Sequence, residues 1–174
     1  MEKKRASDVM IPLHDYPHIP FWFSLRQAIA TLLASEIEVR GRKSLPRGFL
    51  VFNEAYELLG VVRRRDILGG LQPRFVEGAP SDYSKKLFDV KADPDLMELS
   101  YDRLMKGVRE QAERPVGDVM QPIRVTLKHD DHLLKIIHEM VENNLSMIPV
   151  LKDGSVVGVV RSVDVLEEVA KLVL

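Results

Sequence analysis

Three blocks of this sequence occur twice in the same order, and that duplication limits the available folds more than any other feature. Asp8-Val9-Met10-Ile11-Pro12 returns as Asp118-Val119-Met120-Gln121-Pro122, 110 residues later. Leu25, Ala28, Ile29, Leu32 and Leu33 return as Leu133, Ile136, Ile137, Met140 and Val141, at an offset of 108. Gly60-Val61-Val62-Arg63-Arg64-Arg65-Asp66-Ile67-Leu68 returns as Gly158-Val159-Val160-Arg161-Ser162-Val163-Asp164-Val165-Leu166, at an offset of 98. A repeat of this kind is one supersecondary unit written twice, and each copy must bury its apolar face against a neighbour. The falling offset gives the first copy about two extra residues early and about ten later.

The second copy has the clearer pattern. Ile123 to Leu127 is short and β-branched, which predicts a strand. Asp130 or Asp131 is a candidate N-cap for a helix whose apolar positions, Leu133, Ile136, Ile137, Met140 and Val141, follow a 3.6-residue period. Asn143-Asn144 predicts its end, because Asn tolerates the left-handed conformation that closes helices. Strands over Met147–Leu151 and Ser155–Arg161 flank a Lys152-Asp153-Gly154 hairpin turn, and Ser162 caps a last helix running to Val173. The order is β-α-β-β-α.

The first copy repeats it with more noise. Ser24 with Gln27 forms a capping box that opens a helix toward Ser35. Glu36 to Arg47 is charged, contains Gly41 and Pro46, and is expected to be an exposed loop. Gly48–Phe52 and Leu58–Arg63 predict a hairpin, and Arg65–Leu71 a short helix stopped by Gly69-Gly70 and Pro73. The copies span 6–71 and 115–174, joined by a connector, 72–114. In the connector Pro73, Gly78 and Pro80 mark a loop, and Asp93-Pro94 starts an amphipathic helix through Leu96, Leu99, Tyr101, Leu104, Met105 and Val108. That stripe is expected to cross the repeat pair or a partner subunit.

Composition narrows the functions. There is no Cys among the 174 residues, which removes disulfide scaffolds, thiolate zinc sites and thiol catalysis. Lys and Arg total 25 against 26 Asp and Glu, so no strongly basic face favours nucleic acid. The apolar runs are far shorter than the roughly 20 residues that span a bilayer, and Met1 to Arg5 is charged without an apolar run behind it, unlike a signal peptide. A soluble cytoplasmic protein is expected.

Together the repeats resemble the CBS domain pair, a tandem of cystathionine-β-synthase-type domains. The resemblance rests on the Val-Met-x-Pro openings at Val9–Pro12 and Val119–Pro122, on Ser146-Met147-Ile148-Pro149-Val150, and on the Gly-to-Asp segments Gly60–Asp66 and Gly158–Asp164. It implies an α+β fold: two β-α-β-β-α repeats related by a pseudo-twofold axis, their small sheets packed face to face with flanking helices. It also implies a regulatory, non-catalytic module that binds adenine nucleotides between the repeats, commonly as a homodimer, and acts on an enzyme or transporter. AMP, ADP or ATP is the implied ligand, with no required cofactor. The acidic position that contacts ribose in family members corresponds to Asp66 and Asp164. Adenine would meet Thr126, Ile148, Pro149 and Val160 in one cleft, and His18, Leu50, Val51 and Val62 in the other; Ser162, at the start of the last helix, is a further candidate ligand contact.

The sequence departs from the family at one important place. Many nucleotide-binding members have Ser or Thr three residues before the Asp; here those positions are Arg63 and Arg161. Their planar forks suit phosphate, yet their bulk also suits filling a cleft. A ligand-free oligomerisation module is therefore the alternative. His132 and His138, six apart, fall on different faces of a helix, unlike a metal-binding pair. Pro20-Phe21-Trp22-Phe23 suits packing better than base stacking, since no basic residue interleaves it. There is no Gly-rich phosphate loop and no Gly-x-Ser-x-Gly elbow.

Overall fold

The computed structural model describes residues 3–72 and 94–174, so the expectations for Pro73, Gly78, Pro80 and Asp93 lie outside the described residues. The first copy contains helix α1 (Ala6–Val9), β1 (Ile11–Pro12), a 3-10 turn at Leu13–Asp15, β2 (His18–Pro20) and α2 (Leu25–Ala34). It continues with β3 (Ile37–Val39), β4 (Arg42–Ser44), β5 (Gly48–Phe52), β6 (Leu58–Arg63) and α3 (Arg64–Gly70). After α4 (Pro94–Gln111), the second copy gives a 3-10 turn at Val116–Asp118, then β7 (Gln121–Pro122), β8 (Leu127–Lys128) and α5 (Leu133–Glu142). It ends with β9 (Met147–Lys152), β10 (Ser155–Arg161) and α6 (Ser162–Val173).

Two four-stranded sheets result, ordered β1-β10-β9-β8 and β2-β5-β6-β7. The opening strands are exchanged. Ile11 and Pro12 pair with Val159 and Gly158, while Gln121 and Pro122 pair with Val61 and Gly60. Each Val-Met-x-Pro segment thus completes the sheet of the other copy, and the limits of the sheets do not follow the limits of the repeats. The exchange reproduces the sequence offsets pair by pair: Ala6 N–H donates to the Asp131 carbonyl, and Val116 N–H to that of Phe23. The counterpart bonds run from Leu133 N–H to the Lys4 carbonyl and from Leu25 N–H to the Arg114 carbonyl.

Alternation along the strands sorts residues into three layers. Phe49, Val51 and Val62 face α2 and α3, in a cluster with Leu25, Ala28 and Ile67. Ile148, Val150 and Val160 face the other way, with Leu133, Ile136 and Val165. Between the sheets lie Ile11, Val159, Leu50 and Phe52, joined by Tyr16 and Ile37. This is the expected face-to-face arrangement with flanking helices.

Local signals explain most elements. The Ser24 hydroxyl accepts the Gln27 N–H at 3.1 Å while the Gln27 side chain accepts the Ser24 N–H at 2.9 Å, closing the capping box. Asn143 caps α5 and Asn144 follows at φ 52°. Asp153 and Gly154, at φ 51° and 80°, make the turn between β9 and β10 that Asp-Gly favours.

Three expectations need correction. Only Leu127 of the Ile123–Leu127 segment is in a strand; Ile123, Arg124 and Val125 line a cleft instead. Helix α5 is capped by His132, not by Asp130 or Asp131, because the Asp131 carboxylate turns back to accept the Lys128 N–H at 2.8 Å and pairs with Lys135 at 2.9 Å. Arg161, rather than Ser162, is the N-cap of α6.

The segment expected to be an exposed loop, Glu36–Arg47, contains the β3–β4 hairpin. Arg40 and Gly41 form its turn at φ 53° and 78°, and Ile37 is 1% exposed in the central cluster. Its charges have partners in the second copy: Arg40 pairs with Glu168, and Arg42 with Glu167 at 3.1 Å, both on α6. Glu168 is buried, and a hydrogen bond from Lys171 holds its carboxyl below the usual range; burial opposes this and Arg40 reinforces it. A depressed folded-state pKa means stability that is present above the unfolded carboxyl pKa of about 4.3 and lost as pH falls through the lower folded value. Acid titration of thermal stability should therefore show a loss starting below about pH 5 that Glu168→Gln reduces. An identical acid profile for that variant would remove the hairpin clasp from the account.

Candidate functional site

The two Gly-to-Asp segments take the same local form. Each strand runs straight into a helix, β6 into α3 and β10 into α6, so that residues 63 and 161 are N-caps and the Asp stands at the third helical position. A spacing of three puts Arg and Asp on one face. Arg63 grips Asp66 with Nε and Nη2 at 2.9 and 3.0 Å, and the Arg63 N–H adds a third bond at 2.8 Å. Arg161 grips Asp164 with the same two nitrogens, both at 2.7 Å. Burial raises the Asp66 pKa, but the bonds from Arg63 outweigh it and hold the carboxyl below its ordinary value. Bonds to the carboxylates raise both guanidinium pKa values further.

The pairs differ in exposure. The Arg161 and Asp164 side chains are 8% and 4% accessible, and Arg161 Nη1 also donates to the Ser44 hydroxyl at 3.1 Å. Arg63 is 40% accessible over an Asp66 side chain at 7%.

A cleft of about 250 Å³ opens between the copies. Its polar wall carries Arg47, Arg63, Arg124, Arg161 and Gln121; its apolar wall carries Val61, Pro122, Ile123, Val125, Leu145, Met147 and Pro149. Among the described residues no Asp or Glu lines it. Of the residues singled out from the sequence, Arg63, Arg161 and Pro149 line it. Asp66 and Asp164 stand behind their arginines. Val62, Ile148 and Val160 are fully buried core residues, as are Leu50 and Val51. Thr126 is exposed away from the cleft, and Ser162 is half-buried, its N–H bonded to the Ser146 carbonyl. His18 points elsewhere, bonding the Tyr16 carbonyl through Nδ1 and the Tyr56 hydroxyl through Nε2. Sequence reasoning missed Arg47 and Arg124. The i, i+3 spacing carries the signal for the Arg–Asp pairing.

The duplicate of this cleft is closed. Gln121, Pro149 and Val61 correspond by strand register to Ile11, Leu50 and Val159. Those three are buried together with Tyr16 and Ile37. Tyr16, 108 residues before Arg124, is buried in that cluster and also borders the open cleft. The Tyr16 hydroxyl donates to the Gly48 carbonyl at 2.9 Å and contacts Met147 Sδ at 2.8 Å. The 3-10 turn containing the two extra residues of the first copy turns Tyr16 inward, and the hairpin adds Ile37 beside it. Among the described residues no three metal-ligating groups come together, and no helix is long and apolar enough to cross a membrane.

This duplicated β-α-β-β-α fold with exchanged opening strands and a cleft between its copies defines a CBS-pair module. Residues 116–171 match the family model of the CBS domain. An uncharacterized protein of Methanocaldococcus jannaschii is 35% identical over 70 residues, 38% of this chain and 33% of that protein, so the match spans about a third of the relative's length. The fold is shared with the CBS domain of a CBS domain-containing membrane protein from Sphaerobacter thermophilus, with a TM-score of 0.65, 20% identity, and coverage of 95% of this chain and 87% of that one. It is also shared with CBSX2, solved in complex with AMP, with a TM-score of 0.61, 18% identity and 98% coverage of both chains. An uncharacterized conserved protein from Pyrococcus horikoshii matches with a TM-score of 0.62 at 16% identity, covering 97% of this chain and 95% of that one.

Proposed function

We propose that this chain is a non-catalytic regulatory CBS pair that senses an adenine nucleotide in the cleft between its repeats. The observation that carries this reading is the cleft itself, with an apolar wall for a base opposite four arginines suited to phosphate. The AMP complex of CBSX2 supports the choice of adenine nucleotide. A ligand touching Arg63 of one copy and Met147 of the other would favour one arrangement of the two, and so bias a regulated enzyme or transporter. The homodimer reading has support from apolar side chains exposed at matching places in the copies: Leu33 and Val141 on α2 and α5, Leu68 and Leu166 on α3 and α6.

Saturating nucleotide should raise the melting temperature. At 100 times the dissociation constant the gain is about 2.7 kcal/mol, on the order of 5–10 °C for a chain of this size. No shift with AMP, ADP or ATP at millimolar concentration would reject the sensor. A second reading, a ligand-free oligomerisation module, draws support from the Arg–Asp pairs that occupy both ribose-type carboxylates. It expects a stable dimer by light scattering whose melting temperature no nucleotide changes.

A further inference from the structure

We infer that the cleft recognises its ligand by phosphate charge, through Arg47, Arg63 and Arg124, and that Asp66 and Asp164 are positioning residues for arginine rather than contacts for ribose. The inference rests on the nucleotide-sensor reading and specifies how that site works. Both oxygens of each carboxylate are already engaged by a guanidinium three residues earlier, at 2.7 to 3.0 Å. Asp66 is further held by the Gln121 amide at 3.3 Å. A ribose diol would have to displace a bidentate charge-assisted pair and leave the guanidinium without its carboxylate partner.

The charge left over favours an anion. Asp66 and Asp164 balance Arg63 and Arg161, whereas Arg47 and Arg124 are exposed on the cleft wall and pair with no carboxylate among the described residues. Arg63 uses Nε and Nη2 on Asp66 and is 40% accessible, which leaves its Nη1 edge for a ligand. The pairing fixes that edge in direction, so a phosphate meets an ordered donor. With the duplicate space filled by Tyr16 and Ile37, one ligand binds per chain.

Isothermal titration of the full chain with ATP, adenosine and inorganic tripolyphosphate tests this. ATP and tripolyphosphate should bind, adenosine at least a hundredfold more weakly, and ATP with one site per chain. Arg124→Gln, at an exposed position that cannot disturb the core, should weaken ATP and tripolyphosphate about three- to tenfold. Arg63→Gln should weaken both about ten- to a hundredfold, the loss of a charge-assisted hydrogen bond. Asp66→Asn and Asp164→Asn should change the dissociation constants of ATP and tripolyphosphate by a common factor, since neither carboxylate touches the sugar. Adenosine binding as tightly as ATP, or an Asp variant that weakens ATP alone, would overturn the inference while leaving a nucleotide sensor. Tripolyphosphate binding without ATP would keep the phosphate site and reject the nucleotide. Silence from all three probes would reject both.

Discussion

Alanine at position 164 is expected to lower the unfolding free energy by about 3–5 kcal/mol, the loss typical when one partner of a buried ion pair is removed. The Arg161 guanidinium would remain at 8% accessibility with the Ser44 hydroxyl as its side-chain hydrogen-bond partner among the described residues. Tyr16 cannot supply the missing countercharge, because burial pushes its hydroxyl pKa upward, and the phenol stays neutral. Asp66→Ala provides the contrast. Arg63 is accessible enough for water to take over its donors, so a loss of about 1 kcal/mol is expected. Urea denaturation of the two variants measures the difference, and equal losses would show that Arg161 reaches solvent when unpaired. Replacing both partners with apolar residues, Arg161→Met with Asp164→Leu, should recover much of the stability.

The second large effect concerns the exchanged strands. A β-carbon on Gly158 would stand 2.5 Å from the Ile11 carbonyl oxygen and 2.9 Å from Met10 Sδ; one on Gly60 would stand 2.5 Å from the Gln121 carbonyl oxygen and 3.2 Å from Met120 Sδ. The first contact is backbone in each case, so the opening strand itself must move. Gly158→Ala and Gly60→Ala should each cost about 2–3 kcal/mol. Gly69, within α3 and with nothing inside 4 Å, is the control: Ala there should stabilise by about 0.5–1 kcal/mol. A Gly158→Ala variant as stable as the parent would mean that β1 does not lie against β10 as described.

The equivalence of Gly60 with Gly158 and of Met10 with Met120 shows how far a single chain of letters can be read. Matching offsets identify positions that share surroundings, and the exchanged backbone bonds of Ala6, Val116, Leu25 and Leu133 obey them, as do the strand pairs of Ile11 and Gln121. Signals that act within a few residues were also legible: the Ser24–Gln27 box, the Asn143-Asn144 stop and the Asp153-Gly154 turn each depend on neighbouring φ/ψ preferences and nearby donors. Glu36–Arg47 misled because its charges suggest solvent, whereas their partners, Glu167 and Glu168, are more than 120 residues away. The site suffered in the same way. Ile148, Val160 and Val62 follow the family's adenine positions, but in this chain their side chains point toward the helices. Arg47 and Arg124 have no distinguishing context in sequence and enter the cleft because the residue before β5 and the segment after β7 are brought to one site by strands that flank β6.

Duplication, element order and the Arg-for-Ser/Thr change are properties of the chain as written, because periodicity, capping and turn chemistry act over a few residues. Which sheet each opening strand joins, which of two equivalent clefts Tyr16 fills, and whether Asp66 and Asp164 are free or held by arginine were decided only in three dimensions. Those outcomes depend on contacts across more than a hundred residues of chain, where burial and ion pairing, rather than local preference, select the partner.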